Sequence, residues 1–248
     1  AVLCQQFFDV FQSSTPDRGA QRRELWRHCL AVGCATEWMA KHLGAGIEPG
    51  EAFMCGLLHD VGKLALDTCL PKSYARVVER TLARDACICD LEKEILGLDH
   101  MVAGKRLAGR WGLPRSIVES AWLHHIAPES LPSDVASPEM ISLVHVADHV
   151  VRQLSIGFSG YRSATNVEAL AASIGLDKSM RDRLTQWLPE QTQALEAALG
   201  LEQDAPEGFQ LHESALRHLR KVNSALSESN RKLAAKAACL DILSAFNS

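Results

Sequence analysis

Gly56-Leu57-Leu58-His59-Asp60-Val61-Gly62-Lys63 places a histidine, an aspartate and a lysine inside an otherwise apolar run. The run extends from Glu51 to about Leu66 and predicts one nearly all-apolar helix, the mark of an element buried on every side. On either side the 3.6-residue period continues. Leu25, His28, Val32, Ala35 and Met39 recur at i, i+3, i+4 spacing, and Gly44-Ala45-Gly46 ends that helix. Downstream, helices are predicted over Tyr74–Arg84, Ile88–Leu96, an Asp99-His100 start closed by Gly112-Leu113-Pro114, Ser116–His125 and Pro138–Leu154. Asn166–Ile174, Lys178–Trp187 and Glu190–Leu199 complete the set, and the proline-rich Ala127–Pro138 is predicted as a loop. Strand-like alternation is missing, so the fold class is all-α.

The 248 residues are 47% hydrophobic and 23% charged, enough apolar material for a substantial core. Such a chain is not disordered in bulk. The longest strongly apolar runs, Phe53–Leu58 and Ile141–Ala147, are far shorter than the roughly 20 residues of a membrane span, so no membrane insertion is expected. A net charge of −4 gives no electrostatic support to general nucleic-acid binding. Eight cysteines could suggest a disulfide framework, yet Cys29, Cys34 and Cys55 sit within apolar helical patterns as small buried hydrophobes. Cys87-x-Cys89 is the one close pair. A cytoplasmic protein is expected. The chain starts at Ala1 without a basic, signal-like segment, which reads as an excised piece with no signal peptide.

Seven polar residues stand on apolar helical faces: His28, His59, Asp60, His100, His124, His125 and Asp148. Asp148 is in line with Ile141, Val144 and Val151, where a lone carboxylate would cost several kcal/mol unless paired or bound to a cation. A single core histidine is usually satisfied by a carbonyl. Five imidazoles and two carboxylates exceed what one mononuclear site can use. Mixed N/O donors suit divalent Fe, Mn, Ni, Co or Zn, and the absence of Cys donors argues against structural zinc. Two ions bridged by a carboxylate are an arrangement used for phosphoester hydrolysis.

The order His28, His59-Asp60, His100, His124-His125, Asp148 resembles the HD superfamily of metal-dependent phosphohydrolases. Leu25-Trp26-Arg27-His28, the Asp99-His100 before a helix ending Trp111-Gly112-Leu113-Pro114, and Val146-Ala147-Asp148 look like its HDOD branch, the HD-related output domains of bacterial signalling proteins. The resemblance implies an HD-like helical bundle over 25–200, preceded by a helix (Val2–Gln12) left from an upstream helical subdomain within 1–24. It implies a first metal held by His28, His59 and Asp148, a second by His100, His124 and His125, and Asp60 bridging. Lys63 would meet the substrate phosphate; its plain alternative is a solvated lysine at a helix end. Glu24, one turn before His28, stands where some relatives hold a third metal; its alternative is a carboxylate complementing the helix dipole.

Many HDOD domains have lost several ligands, whereas this chain keeps the full set. The Gly-Tyr-Pro that follows His-His in the HD-GYP cyclic-di-GMP phosphodiesterases is replaced by Ile126-Ala127-Pro128-Glu129. Two functions are therefore expected: a binuclear phosphohydrolase or phosphodiesterase for a nucleotide-like phosphoester or cyclic dinucleotide, or a metal-binding but catalytically silent signalling module. A basic substrate pocket would separate them. Arg106, Arg110, Arg115 and Lys63 are candidates, although the arginines read equally well as solvated faces. From Gly200 to Gly208 the composition turns linker-like, and Leu219, Leu226, Leu233 and Leu240 then recur every seven residues. This segment, 201–248, is expected as a signalling helix forming a weak homodimer, weakened by Ser229 and Lys236, or as an amphipathic helix on its own domain. Signalling domains upstream and downstream are expected to be missing.

Overall fold

The computed structural model describes residues 16–44, 46–84, 86–160 and 166–199. The helices expected at Val2–Gln12 and within 201–248 lie outside the described residues. Within them the protein is helical: α1 Pro16–Leu43, α2 Pro49–Leu58, α3 Val61–Cys69, α4 Pro71–Arg84, α5 Ile88–Leu96, α6 His100–Arg110, α7 Arg115–Leu123, a 3-10 turn at Pro128–Ser130, α8 Pro138–Leu154, α9 Val167–Ser173 and α10 Lys178–Ala198. No strand occurs among the described residues. None of these helices is long and apolar enough to cross a membrane.

Local chemistry sets the boundaries. Pro49 and Pro138 occupy first-turn positions, where their missing N–H leaves no helical bond unmade. Asp99 accepts from the Val102 N–H at 2.9 Å and Asp177 from the Met180 N–H at 2.8 Å, capping α6 and α10. α1 packs against α2, α8 and α10, and α3 against α6, around a core that includes Leu30, Met39, Leu57, Val144, Val150, Leu184 and Leu188.

Two boundaries differ from the sequence expectation. The run Glu51–Leu66 is two helices, not one, because the backbone turns at His59-Asp60 and α3 starts afresh at Val61. Lys178–Ala198 is one helix despite Pro189. The wholly buried Leu184 and Leu188 and nearly buried Thr192 line one face across the proline, and their burial offsets the roughly 3 kcal/mol that an interior proline costs. α1 also runs unbroken across residue 25.

Candidate metal centre

The turn between α2 and α3 puts His59 and Asp60 at a corner instead of along one helix face. His28 comes from the middle of α1, His100 opens α6, His124-His125 follow the end of α7, and Asp148 lies inside α8. Close backbone approach draws these elements together. A Cβ on Gly62 would stand 1.9 Å from the His100 carbonyl oxygen, so α3 and α6 meet this tightly only with glycine there. Gly157, at φ +65°, likewise lies against α1, where a Cβ would fall 2.4 Å from the His28 nitrogen.

All seven predicted residues converge. Asp60 stands between two groups. Its Oδ2 is 3.3 Å from His59 Nε2, and its Oδ1 is 3.4 Å from His100 Nε2 and 3.5 Å from His124 Nε2. His28 Nε2 lies 3.1 Å from Asp148 Oδ1, and His100 Nε2 lies 3.1 Å from His125 Nε2. His28, His59 and Asp60 form one donor cluster, and Asp60, His100, His124 and His125 form another. Among the seven, only His125 reaches solvent appreciably, its side chain 13% exposed.

The outer ring nitrogens explain which way the lone pairs face. Three of them contact oxygens that can only accept: His59 Nδ1 faces the Gly56 carbonyl at 2.6 Å, His124 Nδ1 the Ser120 carbonyl at 3.1 Å, and His100 Nδ1 Glu92 Oε2 at 2.6 Å. Each Nδ1 therefore carries a proton and each Nε2 turns inward; burial keeps His124 neutral, so its Nε2 is bare. There the Nε2 atoms of His28, His59 and His124 meet Asp60 Oδ1 and Asp148 Oδ1, all buried and none in a hydrogen bond. For His124, acceptor faces acceptor. A buried polar atom without a partner costs about 1–3 kcal/mol, so five together would consume much of an ordinary domain's stability. Divalent cations would satisfy them, and the mixed N/O donor set fits such ions.

Electrostatics favour the same state. Burial lowers His28, partly offset by Asp148, and takes His124 down to about 3. Burial, with His124 and Arg152 beside it, holds His125 well below the imidazole range. Burial alone would raise the two carboxyls. Lys63 and His59 nevertheless hold Asp60 well below the usual range, and Arg152 and His28 do so for Asp148. Neutral imidazoles and ionised carboxylates are the forms that ligate.

Lys63 is buried, not solvated, and its Nζ donates to Asp60 Oδ2 at 2.7 Å and to the Ser159 carbonyl at 2.8 Å. These two contacts engage two of its three ammonium hydrogens. Glu24 belongs to neither cluster; its carbonyl accepts from the Phe158 N–H at 3.0 Å. Arg106, Arg110 and Arg115 are exposed, and Arg115 is engaged by Glu119 and the Asp134 carbonyl. Two residues went unrecognised in the sequence: Glu92 behind His100, and Arg152, which donates to Asp148 Oδ2 from one turn along α8. Glu92 shares the buried face of α5 with Ile88, but the charged residues around it in sequence mask that placement. Cys29 and Cys55 are free buried thiols, as expected, and burial raises them, Cys55 to about 11.

Among solved structures, the fold is similar to an HDOD domain protein of unknown function from Geobacter sulfurreducens (TM-score 0.58, 24% identity, 72% of this chain and 62% of that one). It is also similar to a provisionally named phosphohydrolase from Shewanella amazonensis (TM-score 0.52, 23% identity, 68% and 59% covered). A provisionally named signal transduction protein from Marinobacter aquaeolei matches with a TM-score of 0.60 at 18% identity, over 71% and 38% of the two chains. An uncharacterised protein of Treponema pallidum is 26% identical over 134 residues, 54% of this chain and 26% of its own length. The chain thus spans about a quarter of that relative. The HDOD domain family model matches residues 1–127, which hold every candidate ligand except Asp148, and the fold returns Asp148 to His28. The chain belongs to the HDOD family.

Proposed function

We propose that the chain is a metal-dependent phosphohydrolase domain with two divalent transition-metal ions sharing Asp60. His28, His59 and Asp148 hold the first; His100, His124 and His125 hold the second. The observation that carries this reading is the set of five buried atoms without hydrogen-bond partners gathered at Asp60: its own Oδ1, Asp148 Oδ1 and the Nε2 atoms of His28, His59 and His124. When bound, such a pair of ions supplies Lewis-acid activation of water and neutralises charge on phosphoryl oxygens. The chain's own part is to fix the donors, to exclude bulk water, and to hold Asp60 ionised through Lys63. A nucleotide-like phosphoester or cyclic dinucleotide is the substrate class, entering at the edge where His125 and Arg152 are partly exposed. The Shewanella relative's name supports the same chemistry.

The burial of the centre and the engagement of Lys63 favour a second reading, a metal-loaded but silent signalling module. Metal analysis, with turnover measured on generic phosphodiesters and cyclic dinucleotides, separates the two. Hydrolysis abolished by Asp60→Asn supports the enzyme; close to two ions per chain without turnover supports the silent module. The pairing proposed for Leu219, Leu226, Leu233 and Leu240 is tested by sedimentation with and without residues 209–248. Self-association that survives the truncation contradicts it.

A further inference from the structure

The His100 ring has different neighbours on its two nitrogens. Nε2 looks toward Asp60 and His125. Nδ1 meets Glu92 Oε2 at 2.6 Å, and the same oxygen accepts from the His100 backbone N–H at 2.8 Å. Glu92 is wholly buried, and its other oxygen accepts from the Tyr74 hydroxyl at 3.4 Å. Burying a carboxylate is expensive unless its oxygens are used, and here both are. One is spent entirely on a single residue.

We infer that Glu92, braced by Tyr74, is a positioning residue for the second ion. It fixes His100 in the Nδ1–H tautomer, locks the ring plane, and raises the basicity of Nε2. It also brings negative charge to a donor set that is otherwise three imidazoles and a shared carboxylate. The inference rests on the binuclear reading above. Its rival is a purely structural role, because the His100 N–H is one of the open donors of the first turn of α6. Asp99 separates the two: its carboxylate caps the same turn through Val102 and pairs with Lys93, neither of them a candidate ligand.

The experiment is a cobalt(II) titration of the full chain, stripped of metal, in wild type, Glu92→Leu, Glu92→Gln, Tyr74→Phe and Asp99→Ala. The readouts are the affinity of each ion and the exchangeable Nδ1–H proton resonance of His100 in the cobalt-loaded protein. Glu92→Leu is expected to weaken the second ion by about 100-fold, and Glu92→Gln, which keeps an acceptor but loses the charge, by about 10-fold. The first ion stays unchanged in both. Tyr74→Phe weakens the second ion a few-fold, and Asp99→Ala lowers Tm without altering its affinity. The resonance persists in Glu92→Gln and is lost to solvent exchange in Glu92→Leu. If Glu92→Leu does not fold, Glu92→Gln decides. Wild-type affinity for the second ion in Glu92→Gln, or a loss in Asp99→Ala equal to that in the Glu92 variants, overturns the inference. Wild type that takes up no cobalt overturns the metal reading itself.

Discussion

The two sides of Asp60 are built differently. On the His28–His59 side, Asp148 adds a carboxylate of its own, ionised beside Arg152. On the His100–His124–His125 side every private donor is an imidazole, and negative charge arrives indirectly through Glu92. A site with two carboxylates binds a divalent ion more tightly than one with a shared carboxylate alone. The first ion is therefore expected to be the structural anchor, and the second the one that comes and goes.

Removing the shared residue should erase the contrast. Asp60→Ala would deprive both proposed ions of a ligand and leave the Lys63 ammonium buried without its carboxylate. Both ions should be lost, and the chelated protein should be about 3–5 kcal/mol less stable by chemical denaturation. Wild-type stability in chelator would show that the Lys63–Asp60 pair does not support the corner.

The two glycines should break one side each. Gly62→Ala drives a Cβ into the His100 carbonyl, pushes α3 from α6, and should lower stability by about 3 kcal/mol while weakening mainly the second ion. Gly157→Ala strains a positive φ and crowds the backbone of His28, at about 2 kcal/mol, weakening mainly the first. Equal effects of each variant on both ions would mean that the sides are not independent.

Acidification should act more gently. In the unfolded chain imidazoles take up protons near pH 6.5, whereas His124 in the fold resists down to about 3. Between these values the unfolded state binds more protons, so stability falls as pH falls. For the metal-free protein, His124 alone removes about 1.4 kcal/mol by pH 5.5, and His28 and His125 act in the same direction. Denaturation midpoints unchanged between pH 7.5 and 5.5 would contradict burial of these rings in the neutral form.

Much of this centre was legible because its residues violate their surroundings: Asp148 among valines and His59-Asp60 among leucines mark themselves as polar groups in need of a partner. The turn at His59-Asp60 was not, since apolar residues continue on both sides and periodicity registers no change of direction. Glu92 was hidden for the opposite reason. Asp90, Lys93 and Glu94 surround it, and the stretch resembles a solvated face until the contact with His100 is seen. Lys63 was noticed, but its partners lie three residues and 96 residues away, and the second is fixed only by the fold.

The central claim is that Asp60 joins two unequal metal sites. Stepwise titration of chelator-stripped wild-type protein with a divalent transition metal, followed by calorimetry and elemental analysis, tests it most directly. Two ions per chain are predicted, bound in two resolved steps, the tighter surviving Glu92→Leu and both vanishing in Asp60→Ala. No uptake by the wild type, or two steps preserved in Asp60→Ala, would contradict the account.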